Sequence, residues 1–413
     1  MAQRRVIGPT AWLVGGAGLF IGAIAAWLTS QGNPGNMGLC IACFWRDIAG
    51  YFMGSQTGQA GLAYIRPEII GIMLGALAAA LITKEFRPRG GSAPLLRFVL
   101  GFIFMVAALV FLGCTVRVWV RLGGGDLTAI WGAVGIVIGV VIGVFVLRKG
   151  FNLGRAKQLA APLGWILPAI AVVLLVFALV TEYGAKPEWA TLTPAKGKAV
   201  VPGEVVVTTD GDVIKPADAT LVDGAVVAAD GTVLADAEKV ASAGAMPGGL
   251  RAALWISLLA GAAIGVAAQR SRFCSIGGIR DSILVRRFDL LFGVVGLVIG
   301  ATIVNMLFGQ YNLGFEGQPA AHNDALGSIA AMTLAGLAAV LMGGCPLRQM
   351  IMGSEGDADG AIAVVGMFAG AGFAHWAGLA SSGAGLGDNA WLAMAVMAVI
   401  LGAIAFIKRP RVA

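Results

Sequence analysis

The sequence predicts an all-α polytopic membrane protein: two inverted repeats of about five transmembrane helices each, with short broken or re-entrant helices and a small β-rich extracytoplasmic insertion. Three observations carry this. Of 413 residues, 58% are hydrophobic and 12% charged, about half the charged share of a soluble domain. Apolar stretches recur at lengths that cross a hydrocarbon layer about 30 Å thick. The chain also matches itself, with two motifs recurring at nearly one offset.

Hydropathy places ten spans at 9–30, 67–85, 94–113, 126–148, 162–181, 250–269, 288–308, 324–343, 358–380 and 388–408. The 62 glycines fit a tightly packed bundle, because small residues let helices approach where lipid supplies no hydrophobic drive between them. Three domains follow: a first membrane repeat over 1–181, an insertion over 182–249 and a second membrane repeat over 250–413. With the amino terminus in the cytoplasm, 19 of the 29 Lys and Arg fall in cytoplasmic segments, among them Lys84, Arg87, Arg148 and Arg286. The positive-inside rule then puts both termini in the cytoplasm and the insertion outside it; the membrane expected is a bacterial inner (plasma) membrane, which makes the insertion periplasmic. Within that insertion Asp210-Gly211, Asp223-Gly224 and Asp230-Gly231 stand between Val-rich runs, which is a hairpin signal.

Four intervals are too rich in Gly, Cys and Arg for ordinary turns and too apolar for exposed ones: 31–54 and 113–125 on the outer side, 270–283 and 344–356 on the inner side. They read as broken or re-entrant helices, tolerated at membrane depth only within protein or along a wet cavity. These intervals hold the repeats. Cys40, Arg46 and Asp47 form a Cys-x5-Arg-Asp pattern that returns as Cys274, Arg280 and Asp281. Gly113, Cys114, Arg117, Gly125 and Asp126 return as Gly344, Cys345, Arg348, Gly356 and Asp357. Each half carries five spans, an odd number, so the second copy must insert upside down and the motifs should meet near the midplane.

A buried Cys alone is usually a small hydrophobe, but four at repeat-equivalent places read as a substrate path of Cys40, Cys114, Cys274 and Cys345. Soft sulfur beside N–H donors at short-helix starts suits a soft oxyanion containing sulfur or selenium. Cys43 and Met342 are further candidates for the path; Cys43 completes a Cys-x2-Cys with Cys40, but its repeat counterpart is Gly277. The eight charged residues (Arg46, Asp47, Arg117, Asp126, Arg280, Asp281, Arg348 and Asp357) have two readings. They attract anions to the vestibules, or each Arg pairs with a nearby Asp to hold the broken helices. For the adjacent Arg46 and Asp47 the helical geometry predicts pairing across elements. His322 and His375 have no repeat counterparts and read as loop or packing residues. No metal site, cofactor site, nucleic-acid motif or catalytic set is expected.

The paired Cys-x5-Arg-Asp and Gly-Cys-x2-Arg motifs resemble those of the YeeE/YedE family of sulfur-compound transport proteins, over nearly the whole chain. The insertion and the Gly-Leu-Cys-Ile-Ala-Cys stretch at 38–43 look more like the YedE-type branch, associated with selenium transport. The resemblance implies an hourglass of inverted repeats and passage of thiosulfate inward by weak sulfur-mediated hydrogen bonds at Cys40, Cys114 and Cys345, with Cys274 the repeat mate of Cys40. It also implies a cytoplasmic partner, a TusA/SirA-type sulfurtransferase. Two other function classes stay open: a membrane thiol-redox protein cycling Cys40 and Cys43, and a passive channel for small solutes.

Overall fold

The computed structural model describes residues 7–53, 64–180, 251–383 and 385–408, with short strands between 199 and 242. The helices are α1 (Ala11–Ser30), α2 (Ile41–Met53), α3 (Pro67–Ile82), α4 (Pro94–Val110), α5 (Arg117–Gly123), α6 (Ala129–Arg148), α7 (Ala161–Gly164) and α8 (Ile166–Val180) in the first half. The second half has α9 (Leu254–Ser271), α10 (Ser275–Leu284), α11 (Asp289–Leu307), α12 (Ala325–Met342), α13 (Pro346–Ser354), α14 (Ala358–Trp376) and α15 (Ala390–Ile407). Every span expected from hydropathy coincides with a helix. Among the described residues seven helical segments are long and apolar enough to cross a membrane, and three shorter apolar helices, α3, α4 and α8, accompany them. The four Gly/Cys/Arg-rich intervals contain the short helices α2, α5, α10 and α13.

Local chemistry sets the boundaries. Proline at the first turn starts α3, α4 and α13, where its missing N–H costs nothing. Asp324 and Asp357 cap α12 and α14, accepting from the N–H of Gly327 at 2.7 Å and of Gly360 at 3.1 Å. Gly343, at φ +103°, ends α12 in the left-handed region open to glycine.

The chain divides into two compact units: one of Met1–Trp45, Arg66–Val176 and Ala252–Ala413, the other of Arg46–Ile65 and Phe177–Arg251. In the first, α1 packs along α11 and α3 along α9, while α6 packs along α12 and α4 along α14. Matching helices by the sequence repeat (α1 with α9, α3 with α11, α4 with α12, α6 with α14) turns each of these pairings into the other of its set. Backbone contact makes them tight: a Cβ on Gly18 or Gly22 of α1 would overlap the carbonyls of Gly293 or Leu297, and one on Gly139 of α6 that of Thr333. α12 and α14 are central, with 67% of their spanning windows buried against 33% for α15. Outward faces are apolar, with Trp12, Phe145, Val172, Leu259 and Val399 exposed, as lipid contact requires. Strands β1 (Arg89–Gly90) and β2 (Lys157–Gln158) pair antiparallel.

In the second unit the rings of Tyr51, Phe52 and Phe177 stack edge to face, and the Arg251 guanidinium lies over the Tyr64 ring. Its strands are β3 (Ala199–Val201), β4 (Val206–Val207), β5 (Val213–Ile214), β6 (Ala219–Val222), β7 (Ala225–Ala228), β8 (Val233–Ala235) and β9 (Val240–Ser242). They form one sheet in the order β5-β4-β3-β9 and another in the order β6-β7-β8. The pairs β4/β5, β6/β7 and β7/β8 are antiparallel and flank the three Asp-Gly positions. Those Asp-Gly positions, and residues 182–198 and 243–249 of the expected insertion, lie outside the described residues.

Candidate functional site

Each Gly-Cys-x2-Arg motif follows a helix that ends in a left-handed residue, Leu112 at φ +64° and Gly343 at φ +103°. The chain reverses there, and the Arg side chain folds back over the motif glycine. A Cβ on Gly113 would lie 2.9 Å from Arg117 Cδ, and one on Gly344 would lie 3.2 Å from Arg348 Cγ. The same spacing therefore builds the same turn twice. The motif ends match too. Gly124 and Gly125 carbonyls accept from the N–H groups of Asn312 (2.9 Å) and Gly314 (3.1 Å), and the equivalent Glu355 and Gly356 carbonyls accept from Arg87 (2.9 Å) and Arg89 (3.1 Å).

All five cysteines are free and buried, and the four repeat-matched ones fall into two pairs. Cys114 interacts electrostatically with Cys40 and with the backbone N–H groups of Arg117 and Ala42. Cys345 likewise interacts with Cys274 and with the backbone N–H groups of Arg348 and Ser275. Cys274 Sγ caps α10, accepting from the N–H of Gly277 at 3.2 Å and from that of Cys345 at 3.3 Å. The residues after Cys114 and Cys274 join the two pairs: Ser275 Oγ donates to Thr115 Oγ1 at 3.3 Å. Each pair also has a guanidinium within electrostatic reach, Arg117 beside Cys40 and Arg280 beside Cys274 and Cys345. The cluster combines soft sulfurs, convergent N–H donors and positive charge, which together suit a soft anion.

Cys43 adds a thiol on one side only. Cys40 Sγ donates to Cys43 Sγ at 2.6 Å, and the Cys43 N–H donates to Cys40 Sγ at 3.2 Å. Met342 contributes its carbonyl, which accepts from Arg97 Nη1 at 2.8 Å and Gln349 Nε2 at 3.3 Å.

The charged residues pair with a nearby Asp in two of the four motifs and otherwise differently. Arg46 and the adjacent Asp47, expected to pair across elements, bind each other, Nε to Oδ1 at 2.8 Å; Arg280 and Asp281 do the same at 2.8 Å. The long Arg side chain curls back to its neighbour, which an argument from Cβ directions misses. Nor does Arg117 pair with Asp126. It donates to the carbonyls of Asn36 (Nε, 2.9 Å), Leu112 (Nη1) and Pro319 (Nη2, 3.5 Å), and its Nη1 points at Cys43 Sγ, 3.9 Å away. Asp126 instead binds Arg121 at 2.6 Å and holds the Thr128 N–H at 2.9 Å. Arg348 reaches Glu355 at 3.4 Å, and Asp357 binds Arg89 at 2.8 Å. Buried Glu355 gathers Arg272 at 2.6 Å as well.

A cavity of about 530 Å³ opens at the end bearing the α11–α12 loop, lined by Thr128, Gln318, His322, Asn323 and Asp324 among others. His322 is neutral there: Nδ1 accepts from the Asp324 N–H at 3.3 Å, which leaves Nε2–H to donate to the Val110 carbonyl at 3.0 Å. At the opposite end a smaller cavity, about 270 Å³, is lined by Arg270, Arg272, Arg287, Asp281 and Asp289 among others. Among the described residues no group of three or more His, Cys, Asp and Glu is placed to hold a metal ion.

Fold and site together define a multi-pass helical membrane protein with a buried, duplicated cluster of thiols. Residues 1–116 match the profile of the Sulphur transport family. No curated protein matches the chain.

Proposed function

We propose that this protein carries a small sulfur- or selenium-containing anion, thiosulfate in the first instance, across the membrane along Cys40, Cys114, Cys274 and Cys345. The observation that carries the reading is the duplicated thiol pair, each half of it set among backbone N–H donors and near an arginine, the two joined through Ser275 and Thr115. The interchange of helix pairings under the sequence repeat supports two oppositely inserted halves related by a two-fold axis in the membrane plane. In that arrangement Cys40 and Cys114 face the periplasmic side, Cys274 and Cys345 the cytoplasmic side, and residues 182–249 lie in the periplasm. The family matched by residues 1–116 supports sulfur as the cargo's recognised atom.

Several weak contacts in series favour passage over capture, since a site that held its anion tightly would not release it. A thiol donates one weak S–H and each N–H one stronger bond, so the ion exchanges partners without losing all of them at once. On the cytoplasmic side a TusA/SirA-type sulfurtransferase receives the cargo. The test is uptake of radiolabelled thiosulfate into proteoliposomes. Cys114→Ala and Cys345→Ala each lose most uptake while folding and insertion stay intact, and excess selenite or selenosulfate competes. Normal uptake by both variants overturns the thiol path; uptake that no anion competes with points to the passive channel.

A further inference from the structure

The Cys40–Cys43 pair stands outside the duplicated design, because its repeat position is Gly277. The two sulfurs lie 2.6 Å apart at the start of α2, with the Cys43 N–H on Cys40 Sγ and a guanidinium N–H of Arg117 directed at Cys43 Sγ. A disulfide needs its sulfurs at about 2.05 Å and its Cα atoms about 4.4–6.8 Å apart, which one turn of helix provides. A cation beside one sulfur stabilises the negative charge that builds on it when it attacks an oxidant. The other half has no second thiol to form such a bond.

We infer that Cys40 and Cys43 form a reversible regulatory disulfide, made by hydrogen peroxide, that closes the first half of the thiol path. Cys43 sulfur attacks one peroxide oxygen, the O–O bond breaks, and Cys43 becomes a sulfenic acid with release of water. Cys40 sulfur then attacks that sulfenic sulfur and displaces the hydroxyl as a second water, the Cys40 proton leaving with it. Two thiols are oxidised by two electrons and one peroxide is reduced to two waters. Peroxide is small enough to enter wherever a thiosulfate-sized anion enters. Closure follows from the chemistry: in the disulfide Cys40 no longer carries a thiol proton and its sulfur is bonded to Cys43, so the first pair loses one of its two thiols. A dithiol reductant restores it.

The effect on uptake rests on the transport reading; the disulfide does not. The full chain in proteoliposomes is treated with peroxide, then denatured and alkylated, and the peptides are read by mass spectrometry. Five alkylated cysteines are expected in untreated protein, and a Cys40–Cys43 disulfide with three alkylated cysteines after peroxide. Thiosulfate uptake falls severalfold after peroxide and returns with dithiothreitol. In Cys43→Ser, whose uptake is compared with its own untreated rate, peroxide makes no Cys40 disulfide and the fall is lost. Absence of the disulfide overturns the inference even where uptake is normal. So does a disulfide that leaves uptake unchanged, or an equal fall in Cys43→Ser. A chain that takes up no thiosulfate in any state fails the transport reading and with it the gating role, while the mass spectrum still decides whether the disulfide forms.

Discussion

Replacing Gly18 by alanine tests whether the two halves are held by backbone contact. A Cβ there would overlap the Gly293 carbonyl oxygen and sit 2.7 Å from its carbon and 2.9 Å from its Cα. Ordinary carbon contacts need about 3.5 Å, so α1 must retreat from α11 by close to an ångström. A gap of that size forfeits roughly a quarter to a half of each contact's well of about 0.1–0.2 kcal/mol. Over an interface of some tens of atom pairs this amounts to about 2 kcal/mol, within the 1–3 kcal/mol typical of overpacking. Gly16, two residues earlier on the same helix, is the control, since a Cβ there meets nothing within 4 Å. Its replacement by alanine is neutral or stabilises by up to about 1 kcal/mol through helix propensity. Because all five cysteines are buried thiols, a thiol-reactive fluorophore too bulky for a path of thiosulfate size reports unfolding as detergent-solubilised protein is heated. The Gly18→Ala transition falls below that of the native chain and Gly16→Ala does not. Equal midpoints for the two variants would refute the close-contact reasoning.

Three further outcomes follow from the charged and titrating groups. Glu355→Gln removes the carboxylate that Arg272, Arg348 and Arg89 approach at 2.6, 3.4 and 3.9 Å; breaking a buried pair costs about 3–5 kcal/mol, and because Arg272 keeps Glu85 and Arg89 keeps Asp357, each at 2.8 Å and partly exposed, the loss is about 1–2 kcal/mol, read as a lower thermal midpoint. Arg117→Lys gives up a fork that serves three carbonyls and costs about 2 kcal/mol, whereas Arg348→Lys, with a 3.4 Å contact to Glu355, costs less; the same assay ranks them. Burial holds His322 below the ordinary histidine value, with Arg121 adding to the depression and the Val110 carbonyl and Asp324 opposing it. The folded state therefore favours the neutral ring. That contribution is complete above about pH 6.5, the unfolded value, and is lost as pH falls through the folded one. Thermal midpoints should decline below pH 6.5, and His322→Gln should flatten the decline.

The ten helices were legible because a span in lipid must be long and apolar, and the short helices because Gly, Cys and Arg together fit neither a span nor a loop. The four thiols stood out as a set because the repeat singles out Cys40, Cys114, Cys274 and Cys345 among five cysteines, but which of them adjoin was not legible. Residues without a repeat mate escaped that filter. Arg121 takes the place of Met352, and Glu355 that of Gly124, yet Arg121 and Glu355 hold the ion pairs that Arg117 and Arg348 were expected to make with Asp126 and Asp357. Charge pairing depends on which loops converge, as when Arg87 and Arg89 meet the 355–357 segment, and the order of residues along the chain does not encode this. Glycine abundance announced close packing, but only the structure separates Gly18, under a carbonyl, from Gly16, in the open.

Substrate protection of single thiols tests the path most directly. In vesicles of known orientation, with one cysteine left at a time, a membrane-impermeant thiol reagent should reach Cys114 from one face and Cys345 from the other, and thiosulfate should slow both reactions. Labelling of both from the same face, or rates that thiosulfate leaves unchanged, would contradict a route through the two thiol pairs.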